Sequence, residues 1–324
     1  MKILVCGGAG YIGSHICKLL ARQGFQVTVF DNLSTGHREA CQWGDFVHGD
    51  LLDPKALQGL FATAEFAAVM HFSARSLVAE SVADPALYYQ NNVVGTLNLL
   101  EAMRVHEVKH LVFSSSASIF GNPRQELIDE THAQAPINPY GETKLIVERA
   151  LAHYARAYGL NSVSLRYFNA AGADPDGNIG ESHTPETHLI PNVLKAALTE
   201  GQRLQVFGNN YPTKDGTCVR DYIHINDLGH AHLLGLKYLD NHPGAHGFNL
   251  GNGQGFSILE IIRTAEEVAG RTIPYDIAAS RPGDPPSLVA DSRRAREVLG
   301  WQPRQAEISE IVRSAWGWHR NQKY

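Results

Sequence analysis

Ile3-Leu4-Val5-Cys6-Gly7-Gly8-Ala9-Gly10-Tyr11-Ile12-Gly13 opens the chain as an apolar strand that runs into a glycine-rich turn and then a helix. Gly7, Gly10 and Gly13 stand at G-x-x-G-x-x-G spacing. Glycine at these points allows a tight turn, close approach of the backbone to a pyrophosphate, and close packing of helix on sheet. The following helix offers free N–H groups and the positive end of its dipole to a phosphate. The next apolar strand ends on Asp31. A carboxylate there suits the ribose hydroxyls of an adenosine and repels a 2′-phosphate, which favours NAD over NADP. Asp50-Leu51, after the third strand, is a candidate frame for the adenine.

Outward from this segment the pattern alternates. Apolar strands are predicted over 2–6, 26–30, 46–48, 67–71, 110–114 and 162–166, and helices over 11–23, 85–105 and 140–158, with Gly24 and Gly159 as stops. The alternation predicts an α/β fold, a Rossmann-type doubly wound parallel sheet. After Gly172 the texture changes to Gly/Pro turns, short strands and helices such as 191–198 and 258–269. This predicts a smaller C-terminal α/β substrate lobe. The expected division is 1–172 for the nucleotide domain and 173–324 for the substrate lobe, with parts of 222–251 returning to the first domain. Ligand is expected between the lobes, at the carboxyl ends of the strands.

The 324 residues are 44% hydrophobic and 19% charged, with a formal net charge of −5, so no basic excess exists to neutralise nucleic-acid phosphates. Cys6, Cys17, Cys41 and Cys218 lack C-x-x-C spacing, which reads as a reduced chain. No basic leader with a cleavage site and no apolar run of membrane-spanning length is seen, so a cytoplasmic location without membrane contact is expected. Among the 16 histidines, the pairs His106/His110, His183/His188 and His242/His246 invite a metal reading, but none is read as having a Cys or carboxylate set at ligand spacing. No metal is expected.

Tyr140 and Lys144 stand at i and i+4, on one face of the helix predicted over 140–158. A free phenol has a pKa of about 10 and is a poor base at neutral pH. A neighbouring ammonium and a positively charged nicotinamide are expected to lower it, and Lys144 is also within reach of the nicotinamide ribose. Ser116 follows the apolar strand at the sheet edge, where its hydroxyl can share the proton of a reacting alcohol. Ser114 and Ser115 are plainer strand-end hydroxyls.

On these and further stretches the sequence resembles the extended short-chain dehydrogenase/reductase family, in its nucleotide-sugar 4-epimerase branch, nearly end to end. The matching segments are GGAGYIGSH at 7–15, DNL at 31–33, HF at 71–72, YYQNNV at 88–93, SSSASIFG at 114–121, NPYGETKLIVE at 138–148, LRYFN at 165–169, FGNNYPTKDGTCVRDYIH at 207–224 and RPGD at 281–284. The resemblance implies that Tyr140 is the base and acid, Ser116 its partner and Lys144 the tuning group. It implies NAD contacts from Tyr11, Ile12, Asp31, Asn32, Asp50, Leu51, Phe72, Asn91, Lys144 and Phe168. It implies UDP-sugar contacts from Asn169, Arg220 and Arg281. Arginine suits a diphosphate because its planar fork binds bidentately and is always charged. Val206 and Phe207 are read either as an apolar platform beside the uracil or as core.

His188 stands where the family often has an asparagine at the sugar nucleotide, Ser76 where a lysine often lies, and Phe120 where a tyrosine is usual. Leu288 occupies the position that borders the sugar 2-substituent, and its bulk favours hexoses over N-acetyl hexoses. The implied activity is NAD-dependent interconversion of UDP-galactose and UDP-glucose by transient oxidation at C4. The alternatives are epimerisation of UDP-xylose/UDP-arabinose and a non-catalytic NAD sensor. Ala117 and Ser118 stand where a dehydratase needs an acid/base pair, which counts against dehydration. A homodimer is expected, from the family and from apolar positions over 87–103 and 145–158.

Overall fold

Strand β1 (Lys2–Cys6) lies inside the sheet because both of its faces are apolar. Ile3 and Val5 point to one layer of core, Leu4 and Cys6 to the other. The computed structural model describes residues 1–281 and 284–324, so Pro282 and Gly283 of the RPGD segment lie outside the described residues. Beside β1 run β2 (Gln26–Asp31), β3 (Asp45–His48), β4 (Ala68–His71), β5 (His110–Ser116) and β6 (Asn161–Tyr167). With β10 (Ala245–Leu250) they form a seven-stranded sheet in the order β10-β6-β5-β4-β1-β2-β3. All its pairings are parallel, as the Rossmann-type expectation requires. The chain winds outward through β2 and β3, then returns across β1 to β4. The switch point therefore lies between Cys6 and His71, where a crevice opens.

The helices Tyr11–Arg22 and Ile225–Tyr238 cover one face, burying Ile16, Leu20, Leu228 and Leu236 against Ile3, Val29, Val163 and Phe248. The helices Pro54–Thr63, Gly95–Val105 and Pro139–Tyr158 cover the other, burying Leu57, Leu99, Met103, Val147 and Leu151 against Leu4, Leu111 and Phe113. Full burial of each such side chain stabilises the fold by about 1.5–3 kcal/mol.

The smaller lobe has its own core, with Ile190, Val193, Leu194, Ile261, Ile262 and Ile311 from the helices Leu189–Leu198, Ile258–Ala269 and Ile308–Arg320. Its strands are β7 (Asn169–Ala171), β8 (Leu204–Phe207), β9 (Val219–His224), β11 (Gly255–Ser257), β12 (Tyr275–Ala278) and β13 (Ser287–Leu288). β9 pairs with β7, β11 and β13, and β8 pairs with β12. Two buried carboxylates fasten the crossings between lobes. Asp221 accepts the backbone N–H of Asn252 (2.8 Å), Gly253 (3.0 Å) and Ala290 (3.1 Å). Asp227 accepts those of Arg304 (2.9 Å) and Gln305 (2.8 Å).

The continuous helix expected over 85–105 is interrupted. A turn of π-helix, Tyr89–Val94, separates Pro85–Tyr88 from Gly95–Val105. The cause is Asn92, a buried polar side chain that must be satisfied. Its Oδ1 accepts the Arg75 N–H (2.8 Å), and its Nδ2 donates to the Arg75 carbonyl (3.0 Å) and to Thr143 Oγ1 (3.1 Å). One turn on, Thr96 Oγ1 donates to the Asn92 carbonyl (2.6 Å). That leaves Thr96 Oγ1 to accept from His71 Nε2 at 2.8 Å, so Nε2 of His71 carries a proton.

Burial, and after it the Lys144 charge, bring the His71 pKa down to about 3, against about 6.5 in an unfolded chain. The unfolded state therefore binds one more proton than the folded state between those values, and stability falls as the pH drops from 6.5 towards 3. Replacing His71 with Gln should make the decline of stability with acid shallower by up to about 1.4 kcal/mol per pH unit in that window. Urea unfolding of both proteins over the window checks it; parallel profiles would show that His71 is not buried neutral.

Candidate active site

Gly7 leaves β1 with φ +79°, and a Cβ there would stand 2.5 Å from the backbone nitrogen of Ser73. A Cβ on Gly13 would stand 2.1 Å from the Gly7 carbonyl oxygen. No L-residue with a side chain fits either place without moving backbone. Gly10 is the N-cap of the helix Tyr11–Arg22, which has neither a side-chain cap nor an acid in its first turn. Its first N–H groups are thus left for an outside anion. Tyr11 and Ile12 form that first turn, and the Tyr11 hydroxyl donates to the Gly172 carbonyl at 2.7 Å.

From Gly7 and Gly10 a groove runs along the strand ends past Asp31, Asn32, Asp50, Leu51, Phe72 and Asn91. One concavity thus gathers eight of the residues that the sequence assigned to a dinucleotide. Asp31 Oδ2 accepts the Ala9 N–H (3.0 Å) and Oδ1 the Leu33 N–H (2.8 Å). Burial raises its pKa, and these two bonds work against the rise. An ionised carboxylate has about four lone-pair sites, so room remains for ribose hydroxyls. Asn32 Nδ2 donates to Asp50 Oδ2 at 2.9 Å, fixing both side chains at the groove wall. The residues present therefore fit an NAD molecule: glycines where the backbone is close, unpaired N–H groups for a pyrophosphate, and a carboxylate for a ribose. Sequence reasoning missed Ser34, Thr35, Ser73, Ala74 and Arg75, which also line the groove. Their one signal was position, directly after the ends of β2 and β4.

Ser116 is the last residue of β5, paired in register with Tyr167 of β6. Tyr140 is the second residue of the helix Pro139–Tyr158, whose N-cap Asn138 accepts the Gly141 N–H at 2.8 Å. A Cβ on Gly141 would stand 2.4 Å from the Ser118 carbonyl oxygen, so this helix start sits close on the segment after β5. The Ser116 hydroxyl lies close enough to the Tyr140 phenol to act on its pKa, while Ser116 Oγ donates to Ser118 Oγ at 3.2 Å and accepts the Ser118 N–H at 3.1 Å. Lys144 Nζ donates to the Ser114 carbonyl at 2.8 Å and lies 5.9 Å from the centroid of the Tyr140 ring.

The electrostatics depart from expectation in one respect. Burial raises the Tyr140 pKa above that of a free phenol, and the nearby Ser116 hydroxyl opposes the rise. Burial also brings the Lys144 ammonium down to about 7, with Glu148 opposing. A lysine half-titrated at neutrality does not present the full charge needed to stabilise a phenolate. Glu148 belongs to a support that the sequence did not reveal. It forms a buried ion pair with Arg166 (2.6 Å) and accepts from Ser115 Oγ (2.5 Å). Ser114 Oγ is hydrogen-bonded to the Tyr167 hydroxyl. The two plain serines thus lock the strand end that carries Ser116.

The residues expected at the substrate distribute unevenly. Asn169 Nδ2 donates to the Asp221 carbonyl at 2.9 Å. Arg220 donates to the carbonyls of Val219 (2.7 Å) and Pro285 (3.0 Å) and pairs with Asp284. Arg281 lies over the Phe207 ring at 4.1 Å. Leu288 stands opposite Arg220 in the β9–β13 register. It packs, with Phe168 and Ala117, on the small core of Ile119, Phe120, Ile128 and Leu145, one residue from Ser116. Val206 does not join Phe207. Alternation along β8 turns it with Leu204 into the core of the smaller lobe, where it is 1% exposed.

His188 ends the loop before the helix Leu189–Leu198, half exposed, with Nδ1 2.6 Å from Glu181 Oε1. The pair His183/His188, read from the sequence as having no carboxylate set, is flanked by Glu181 and Glu186. Irregular loop spacing hid it, because residues of a turning loop converge without any helical or strand period.

A doubly wound sheet with a glycine-turn groove, and a Ser/Tyr/Lys set gathered at the end of β5, defines a dinucleotide-dependent protein acting on an alcohol or ketone carbon. Residues 3–251 match the NAD dependent epimerase/dehydratase family, and the chain belongs to that family. It is 51% identical to the UDP-glucose 4-epimerase of Halalkalibacterium halodurans over 320 residues, covering 99% of this chain and 96% of that protein. It is 51% identical to the UDP-glucose 4-epimerase of Rhizobium leguminosarum bv. trifolii, covering 98% of this chain and 97% of the relative. The crystal structure of UDP-glucose 4-epimerase from Brucella ovis in complex with NAD superposes with a TM-score of 0.95 at 51% identity, covering 97% of each chain.

The Gly13 geometry generates a test. Gly13→Ala should destabilise the protein by at least about 2 kcal/mol, because its methyl meets backbone and the neighbour is not a flexible side-chain end. It should also weaken NAD binding at least tenfold. Thermal unfolding and NAD titration measure both; an unchanged melting temperature with unchanged affinity would refute the close contact.

Proposed function

We propose that this protein interconverts UDP-galactose and UDP-glucose with a tightly held NAD, and that Tyr140 is the group that moves the proton at the sugar C4 oxygen. The observation that carries the reading is the gathering of Ser116, Tyr140 and Lys144 at the end of β5, with Lys144 Nζ bonded to the Ser114 carbonyl and 5.9 Å from the Tyr140 ring. NAD, when bound, supplies a reversible two-electron acceptor for C4. Tyr140 takes the hydroxyl proton as C4 is oxidised, and Ser116 steadies the oxygen from which it leaves. The same phenol returns the proton to the C4 oxygen once the sugar has turned over. The positive charge of an occupied nicotinamide site would oppose the burial that raises the phenol pKa in the ligand-free protein.

Turnover of the sugar needs an anchor elsewhere on the substrate. Arg220 and Arg281 are proposed to hold the diphosphate, Phe207 to face the uracil, and Asn169 and His188 to line the sugar-nucleotide path. Leu288 is proposed to limit the space at the sugar 2-position. The division of labour is proposed as 1–172 for the cofactor and 173–324 for the nucleotide sugar, with parts of 222–251 serving the first domain.

A homodimer is proposed through the helices Gly95–Val105 and Pro139–Tyr158, which leave Leu97, Val105 and Tyr158 exposed. A cytoplasmic setting is proposed from four free, buried thiols.

The direct test adds UDP-galactose to purified protein without cofactor and follows the sugar by NMR. UDP-glucose should form and approach equilibrium. No conversion, even after NAD⁺ is added, would overturn the hexose reading, and conversion of UDP-xylose alone would replace it by pentose epimerisation. Tyr140→Phe should lower kcat by about 10²–10⁴ with little change in UDP binding. Leu288→Ala should raise kcat/KM for UDP-N-acetylglucosamine relative to UDP-glucose by about 10–100-fold, the worth of a few methylenes in a pocket. An unaltered ratio would remove Leu288 from the specificity boundary.

A further inference from the structure

The loop over 172–188, between β7 and the helix Leu189–Leu198, passes over the start of the helix Tyr11–Arg22. Here Glu181, His183, Glu186 and His188 bring four donor atoms within 4.8 Å of one another. We propose that these four side chains bind one zinc ion in a closed, tetrahedral His₂Glu₂ site that clips this loop between the two lobes.

The spacing of the donors carries the proposal. Four ligands at about 2.0–2.1 Å from a tetrahedral Zn²⁺ stand about 3.3–3.4 Å from each other. Here His183 Nδ1 lies 3.4 Å from Glu181 Oε1 and 3.7 Å from Glu186 Oε2, and His188 Nδ1 lies 3.4 Å from Glu186 Oε1. The two His183 distances are ligand-to-ligand distances, long for hydrogen bonds, and the His188–Glu186 Oε1 distance brings the second imidazole to the same centre. One pair, His188 Nδ1 to Glu181 Oε1 at 2.6 Å, is hydrogen-bonded and would open by under 1 Å as the ion enters.

A second observation is independent of the cluster's composition. His183 Nδ1 and Glu186 Oε2 are buried and have no hydrogen-bond partner, and the Glu186 side chain is 3% exposed. A buried carboxylate oxygen without a partner is costly, and a metal ion at the centre of the cluster would satisfy it. The other oxygen of Glu186 is already oriented, since Oε1 accepts the backbone N–H of Thr187 (2.8 Å) and His188 (2.9 Å). Metal ligands commonly have such outer-shell support.

Two imidazoles and two carboxylates suit zinc, and four protein ligands with no open position mark a structural rather than a hydrolytic ion. Its effect follows from what the ligands are tied to. The Glu181 carbonyl accepts Trp318 Nε1 at 2.9 Å from the last helix. The His183 ring stands edge-on to Tyr11 at 6.4 Å, at the start of the cofactor helix. His188 caps the helix Leu189–Leu198 of the smaller lobe. An ion here joins three elements that frame the cleft, and it takes no part in proton transfer at Tyr140.

The test uses tag-free full-length protein grown with zinc, then stripped with a chelator and reloaded with Zn²⁺ or Co²⁺. Elemental analysis should find one zinc per chain. Stripping should lower the melting temperature, reloading should restore it, and the Co²⁺ protein should show the intense visible absorption of tetrahedral coordination. His183→Asn and Glu186→Gln should each weaken zinc binding at least about 100-fold. Should a variant fail to fold, the stripping and reloading of the wild type decides by itself. Protein without zinc whose melting temperature ignores both chelator and added Zn²⁺ would overturn the site and leave an ion-paired cluster. Zinc held equally by both variants would overturn it as well.

Discussion

Backbone meets backbone where the first helix leaves the central strand, and the cofactor groove depends on that contact. Gly13 sits so close to the Gly7 carbonyl that a single methyl would overlap it. Gly7 in turn touches the backbone after β4, across the switch point of the sheet. Because the helix start is held this tightly, its unpaired N–H groups face the crevice at a defined height. The carboxylate of Asp31 then finishes the turn by accepting two backbone N–H groups while still facing the groove. The same atoms thus stabilise the fold and shape the place where an anionic ligand enters.

Desolvation sets the titration of Tyr140 and Lys144. In water a phenol and an ammonium both titrate near or above pH 10. In this protein burial moves them in opposite directions, the Tyr140 phenol upward and the Lys144 ammonium to about 7. Their values therefore move apart, set less by proximity to each other than by what lies around them. Glu148 and Arg166 matter for that reason. A buried ion pair one turn beyond Lys144 keeps charge near the site, and Ser115 ties that pair to the strand carrying Ser116.

The lobes are joined by polar anchors as well as by apolar contact. Asp221 gathers three backbone N–H groups from segments far apart in sequence. Lys18, on the cofactor helix, is buried against Asp174 at 2.6 Å in the loop that leads to the smaller lobe. Breaking such a pair by removing one partner would strand a buried charge, which costs more than the pair contributes. The crevice is therefore bounded by groups whose loss is expensive, which keeps its two walls in register.

Local periodicity carried most of the fold into the sequence. The glycine spacing, the continuous apolar strands around it and the Tyr140–Lys144 spacing each depend on residues a few positions apart, so they were legible. The parallel sheet follows from those patterns, as do Gly7, Gly10, Asp31 and Asp50-Leu51 in the groove, whereas Asn32, Phe72 and Asn91 were implied only by the family resemblance. What tertiary structure alone decided involves partners distant in the chain or curled in a loop. Asn92 widened a helix because Arg75 and Thr143 happened to need its amide. Val206 went to the core and Phe207 to the opposite face, under Arg281, because the smaller lobe's core lies on one side of β8. Glu148 met Ser115 and Arg166 across two strands, and Glu181, His183, Glu186 and His188 converged in a loop with no period to announce it. Sequence determines which side chains share a face, because backbone geometry repeats; only the folded chain determines which faces meet, because that depends on how distant segments fill and satisfy a common interior.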